Sequence, residues 1–290
     1  MSMPHNDIGL EQYVSDWRPE AVVTVDGLSA TRAADLGATL DLDVVPQPGD
    51  DLPPMWHWVY FTEWPRTADL GADGHPRDGH FLPPIPHRRR MFAGGRLTIH
   101  TPLVLGRQTT RRAEVVTTNV KHGKTGELLF VTVRYEFAQD GQSRMTEEQD
   151  LVYRSDNGSL TTFERVTEPL AARSAPWACE PSTHPALLFR FSALTANAHR
   201  IHYDEQYTTQ VEGFPALVVH GPLIAIYMSE LARTEGQRPV RSFEDRLKRP
   251  VFVGDPILAQ GGMAADGTTA ELSVVSGADN VHATATAGYA

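Results

Sequence analysis

Apolar and polar positions change rhythm several times along the 290-residue chain. Directly after Asp26, the spacing of Leu28, Ala33, Leu36 and Leu40 traces one helix face and predicts a short amphipathic helix over residues 28–42. Residues 96–100, 113–120, 127–137 and 149–154 then concentrate Val, Thr, Ile and aromatic side chains between turn signals at 123–126 and at Asp140-Gly141, which predicts an antiparallel sheet. From 155 to 184 the texture shifts to Ser, Asp, Asn and Gly with Pro169, Pro176 and Pro181, and Pro185 follows, as in a connecting segment that crosses the surface. Beyond it the pattern predicts a strand over 186–195, a polar helical patch, an apolar helix over 221–234 and three strands ending at 282–289.

One helix against strands, twice over, describes an α+β chain of two units, 1–155 and 185–290, joined by a linker at 156–184. A repeated string points the same way. Pro102-Leu103-Val104-Leu105-Gly106 and Pro250-Val251-Phe252-Val253-Gly254 each follow an Arg-Leu pair and precede strand-like sequence, the mark of an internal repeat.

Composition narrows the function classes. Hydrophobic residues at 41% and charged residues at 21% describe a folded chain, and a formal charge of −10 removes the basic surface that a nucleic-acid binder needs. A local group of arginines can still hold one phosphorylated small molecule against that diffuse field. Cys179 is the only cysteine, so an intramolecular disulfide and a cysteine-based metal site are both excluded, which suits a reducing compartment. Residues 1–10 carry acid and amide groups where a signal peptide would be apolar, and the apolar run 214–228 is broken by His220, Gly221 and Pro222. The expectation is a cytoplasmic protein with no membrane partner.

The richest chemistry lies in the stretch from Phe191 to Asp204, where a buried-looking segment gives way to Asn197, His199, Arg200, His202, Tyr203 and Asp204. In a turn leading into a helix several of these converge on one small volume and can hold a water molecule. Chemistry that activates a water needs a base for the water and stabilisation of the negative charge that develops; histidine suits the first near neutral pH. The second can come from His220-Gly221-Pro222 at a helix start, where backbone N–H groups are unpaired and the dipole is positive. His199, Tyr203 and Asp204 equally fit supporting roles, because caps and orienting contacts use the same residue types. His199 and His202 lack a third ligand at an established spacing, so no metal site is expected. Arg88-Arg89-Arg90 reads either as a solvated turn or as a group whose arginine forks meet phosphates. There is no Gly-x-Gly-x-x-Gly fingerprint, and no bound cofactor is expected.

These residues resemble the MaoC-like hot-dog hydratases, through Phe-Ser-Ala-Leu-Thr, Asn197, the run from His199 to Asp204, and Val218-Val219-His220-Gly221-Pro222-Leu223. Within them the chain is similar to the type 2 hydroxyacyl-thioester dehydratases and the itaconyl- and mesaconyl-CoA hydratases. The first half carries the likeness too, in Trp56-His57-Trp58, the run from Phe81 to Pro86, Arg89-Arg90-Met91 and the run from Glu148 to Arg154. The resemblance implies a double hot-dog, each half a sheet around one long helix, with a structural first half and the site in the second.

It also implies catalytic roles for His202, Asn197 and Gly221, with His220, Pro222, Tyr203, Arg200, Arg89 and Arg90 around the substrate. The broader motif has an aspartate where this chain has Asn197, and an amide orients by hydrogen bonds without exchanging a proton. The implied reaction is reversible hydration of a 2-enoyl-CoA. The alternatives are the same acyl group on acyl carrier protein, thioester hydrolysis, or non-catalytic acyl-CoA binding. Exposed sheet edges would also suit a homodimer or higher homo-oligomer.

Overall fold

The computed structural model describes residues 9–86, 88–123, 126–155, 163–171, 173, 175–278 and 280–290. The N-terminal residues 1–8, the tip of the 123–126 turn and residues 156–162 of the expected linker lie outside them. So does the side chain of Arg88.

Helix α1 (Leu10–Val14) leads into strand β1 (Val22–Asp26) and helix α2 (Ala30–Thr39). Four long strands come next: β2 (Arg88–Ile99), β3 (Thr109–Gly123), β4 (Gly126–Gln139) and β5 (Gln142–Ser155). The second half repeats the order with β6 (Trp177–Cys179), α3 (Pro185–Leu194), α4 (Glu205–Gln210), the long α5 (Gly221–Glu235), β7 (Val240–Leu247), β8 (Leu258–Met263), β9 (Thr269–Ser276) and β10 (Asn280–Tyr289).

All ten strands form one antiparallel sheet in the order β1-β3-β4-β5-β2-β7-β10-β9-β8-β6. Counting β1 with β6, β3 with β8, β4 with β9, β5 with β10 and β2 with β7, the order reads the same from either edge. The two halves are thus related about the β2–β7 seam, where Arg96 pairs with Glu244 and Leu97 with Phe243. One core runs across the seam, from Leu97 and Phe137 to Phe243 and the α5 residues Leu223, Ile224 and Met228.

Two expectations change. The segment 186–195 is helix α3 and not a strand: it contains no β-branched residue before its closing Thr195, Pro185 occupies the first turn, and the His184 ring accepts a hydrogen bond from Ala186 N–H at 3.1 Å. Its buried face is Leu187, Leu188, Phe191 and Ser192, a helical spacing. Part of the segment read as linker also enters the sheet, as the edge strand β6 against β8.

The repeated strings occupy matching places. Val104 bridges Asp51 and Phe252 bridges Val218. Leu52 N–H donates to Leu103 at 2.7 Å and Val219 N–H to Val251 at 2.8 Å; Gly106 and Gly254 have φ of 80° and 82°. Helices α2 and α3 match as well, each closed by a left-handed residue, Asp41 (φ 56°) and Ala196 (φ 52°). Leu42 N–H then returns to Gly37 at 3.0 Å and Asn197 N–H to Ser192 at 2.9 Å.

Beyond these bridges the halves diverge. After Val218 the second half runs into α5, which lies against strands of the sheet. After Asp51 the first half meets Pro53, Pro54 and left-handed Met55, and makes only the 3₁₀ turn Trp56–Val59. Two successive prolines remove the donors a helix start would present.

The inner face near the seam carries buried charge. Glu147 on β5 accepts from Trp58 Nε1–H at 2.5 Å and Gln149 at 3.0 Å, and pairs with His57 Nε2 at 2.9 Å. Asp245 on β7 stands where the repeat puts Leu97 in the first half. Its side chain is buried. Burial, reinforced by Glu147 and opposed by the Gly95 backbone, pushes its pKa up to about 8.

Candidate active site

The closing turn of α3 sets Asn197, whose Oδ1 accepts from His199 N–H at 3.0 Å. This ties the amide oxygen to the backbone and leaves its NH₂ as the group able to face a ligand. A 3₁₀ turn, Arg200–His202, comes next, and Asp204 caps α4 by accepting from Tyr207 N–H at 3.0 Å.

His202 is buried, 7% exposed, and its Nδ1 lies 2.7 Å from the Val218 carbonyl. A carbonyl only accepts, so Nδ1 carries the proton and Nε2 keeps its lone pair. Val218 N–H donates in turn to Ile201 O at 2.9 Å, so the same short ladder holds both the imidazole and the strand that leads into α5. Burial lowers the pKa of His202 to about 4, against the Val218 bond and with help from His75. The ring is a neutral base at physiological pH.

His220, the residue before α5, stacks on it, with ring centroids 3.6 Å apart and planes 19° apart. Ser192 Oγ meets His220 Nε2 at 2.8 Å, while His220 Nδ1 is buried with no hydrogen-bond partner. Burial, then His202 and His199, hold His220 neutral. The stack brings the start of α5, and with it the Gly221 amide, next to the base. Gly221 and Pro222 open that helix, so the Gly221 N–H has no partner within it. The need for glycine is a packing one: a Cβ here would lie 2.3 Å from Leu247 Cδ1 and 3.4 Å from Phe92 Cδ1.

The first half contributes more than the sequence suggested. A loop after the 3₁₀ turn Thr67–Asp69 lies over the Asn197–Arg200 turn, with Arg200 N–H donating to Asp73 O at 2.8 Å. Gly74 makes this approach feasible, since a Cβ there would come within 1.8 Å of Ala198 O. The loop delivers His75, whose Nδ1 pairs with Asp73 Oδ2 at 2.9 Å and whose ring lies 4.1 Å from that of His199. His199 in turn sits edge-on to His202 at 5.5 Å.

Burial lowers His75, opposed by Asp73; burial and then His75 and His202 bring His199 down to about 2. Burial favours neutral Asp73, yet the hydrogen bond and charge of His75 hold it down to about 2. Asp73, His75 and His199 present donor atoms within 4.8 Å of one another, as a cation site would, but the close approach of Asp73 and His75 is already a hydrogen bond.

The remaining candidates surround this centre. Arg200 is committed to Asp204, through Nε at 3.0 Å and Nη2 at 2.7 Å, and to Ala72 O at 3.0 Å, with Tyr207 under its guanidinium. It pins the first-half loop. Tyr203 donates its hydroxyl to Ala198 O at 2.9 Å. Arg89 faces Glu212 at 3.5 Å, and Arg90, exposed on the same strand, contributes electrostatically at His75. Sequence reasoning passed over Asp73 and His75, and quoted Ser192 only within the Phe-Ser-Ala-Leu-Thr string. The compact Asp73-Gly74-His75 turn was the available signal, in a half read as structural.

The repeat supplies a control within the molecule. At the places of Asn197 and the residue five further on, the first half has Leu42 and Gln47, and at the places of His220 and Gly221 it has Pro53 and Pro54. The twin has neither base nor amide donors.

Comparison with known proteins gives the family of the chain. Residues 55–253 match hydroxyacyl-thioester dehydratase type 2. The chain belongs to that family. Mesaconyl-C(4)-CoA hydratase of Chloroflexus aurantiacus is 42% identical over 228 residues, 78% of this chain and 81% of that protein. The mitochondrial hydroxyacyl-thioester dehydratase type 2 of Schizosaccharomyces pombe is 27% identical, covering 80% and 84%.

Among solved structures, a MaoC-like dehydratase from Phytophthora capsici aligns with TM-score 0.63 at 16% identity, covering 94% and 95%. A Mycobacterium tuberculosis protein described as a double hotdog aligns at 0.55 and 14%, covering 95% and 97%. The fold is the double hot-dog. This family member is a lyase of acyl thioesters, hydrating or dehydrating the carbon chain. Among the described residues no helix is long and apolar enough to cross a membrane.

Proposed function

We propose that the protein hydrates the double bond of a short 2-enoyl-CoA of the mesaconyl or itaconyl type, with His202 as the base. The observation that carries this reading is the fixed tautomer of His202: Nδ1–H on Val218 O leaves Nε2 as the acceptor of a ring stacked beside the start of α5. In this mechanism Nε2 takes a proton from water as its oxygen bonds to C3. The C2=C3 pair moves into the thioester, and the enolate oxygen is met by the Gly221 N–H and the positive end of α5. The enolate then takes a proton at C2.

Asn197 orients the water or the thioester oxygen through its NH₂, His220 and Pro222 shape the helix start, and Arg200 and Tyr203 hold the turn. Arg89 and Arg90, on the rim, suit the phosphates of CoA. The short dicarboxylate class comes from the Chloroflexus relative. The outward Val23 and Val25 on edge strand β1 support pairing of two chains there.

The test is a panel of mesaconyl-, itaconyl- and crotonyl-CoA, followed by loss of the conjugated-thioester absorbance, with one acyl group repeated on acyl carrier protein. Saturable hydration of a branched dicarboxylic thioester on CoA is expected. Release of free thiol, preference for the carrier protein, or no consumption of any member would overturn it.

A further inference from the structure

Hydration needs an acid as well as a base, and Asn197 cannot supply a proton. The other side chains that face the His202 cluster divide unequally. His220 is held neutral by burial and by the neighbouring His202 and His199 rings, and His199 is buried between two other imidazoles. His75 alone among them is backed by a carboxylate, Asp73, on Nδ1. A carboxylate there gives the imidazolium form a counter-charge and fixes the ring so that Nε2–H is the donating position.

We infer that His75, oriented by Asp73 and carried in from the first half, is the catalytic acid that delivers the proton to C2. The inference rests on the hydratase reading above. The step balances: His202 Nε2 gains the proton of water as the C3–O bond forms, and the enolate pair forms the C2–H bond with the proton of His75 Nε2. His202 ends protonated and His75 neutral. His199, with its ring 4.1 Å from His75 and 5.5 Å from His202, stands between them to return the proton, taking it on one nitrogen and releasing it from the other. Dehydration runs the same steps backwards. The half of the molecule without a base of its own thereby completes the site of the other.

Burial holds His75 below the ordinary histidine range; of the groups facing it, Asp73 and Glu212 favour the imidazolium, while Arg90, His199 and His202 disfavour a second positive charge. In the hydration direction His75 must be charged, so activity falls as pH rises through its pKa. Removing the charge of Asp73 lowers that pKa and moves the alkaline limb to lower pH.

The experiment compares His75→Gln, His75→Ala and Asp73→Asn with wild type on the substrate identified by the panel. Gln can keep a donor to Asp73 yet cannot transfer a proton. The expected result is kcat reduced roughly 10²- to 10⁴-fold in both His75 variants with KM within a few-fold. In Asp73→Asn the alkaline limb of kcat/KM shifts down, and in both His75 variants entry of solvent deuterium at C2 slows in step with kcat. Full activity in His75→Gln, or an unmoved limb in Asp73→Asn, would overturn the assignment. So would wild-type turnover lost on chelation and restored by a stoichiometric divalent cation. If wild type itself hydrates no thioester of the panel, it is the hydratase reading that fails; if wild type works and His75→Gln matches it, only the role of His75 does.

Discussion

The imidazole of His202 lies flat against that of His220, 3.6 Å between centroids, so the proposed base is packed directly on the residue that precedes α5. Two buried rings this close cannot both be positively charged. The arrangement keeps His202 an acceptor and fixes its distance from the helix start.

Replacing His202 by Ala should lower turnover roughly 10²- to 10⁴-fold, the range for a general base. Steady-state kinetics on the preferred enoyl-CoA measure it, and unchanged turnover would remove the residue from the chemistry.

The acid side of the pH profile is set by the same ring. In the proposed role His202 acts unprotonated, and burial has moved its pKa to about 4, so kcat/KM should persist well below the usual histidine range and fall only as pH drops through about 4. A limb near 6.5 in the free enzyme would show that another group sets it.

At Gly221 the space for a Cβ is taken by Leu247 and Phe92. Gly221→Ala should therefore shift the first turn of α5 and cut turnover, with a stability cost of about 1 to 3 kcal/mol for overpacking. Leu247→Ala introduced beside it should recover part of both losses, a coupling that a double-mutant cycle reads directly.

Asp245 is a pH-dependent liability. Its folded pKa, about 8, exceeds the unfolded value of 3.8, so the native state binds the extra proton and stability falls as pH rises from about 4 to 8. Asp245→Leu, the residue its repeat partner carries, should raise the melting temperature, by more at pH 8 than at pH 5. Equal gains at both would mean that the carboxyl is not neutral in the folded protein.

The twin site should be silent. Gln47→Ala, five residues after Leu42 as His202 is five after Asn197, is expected to leave kcat/KM within about twofold, as for a surface change remote from the chemistry. A large drop would show that the first half does more than position the Asp73–His75 loop.

Much of this was legible in the chain. Strand alternation marked the sheet, the Pro-apolar-Gly strings marked the repeat, and the resemblance to the hydratase motif put forward Asn197, His202 and Gly221 as candidates. Helix α3 was not, because Leu and Phe in an unbroken apolar run fit either strand or helix until the cap at His184 is seen. His75 escaped for a different reason: its partner His199 is distant in sequence, and only the folded loop, through Gly74 over Ala198, brings them together. Asp245 sits in an otherwise alternating strand, where pattern alone expects an apolar residue.

Pro53 and Pro54 make the division of labour between the halves hard to undo, since no single replacement returns both amide donors, and a base would have to arise separately at position 47. A slowly dissociating thioester analogue should accordingly saturate at one equivalent per polypeptide, though the molecule carries the framework twice.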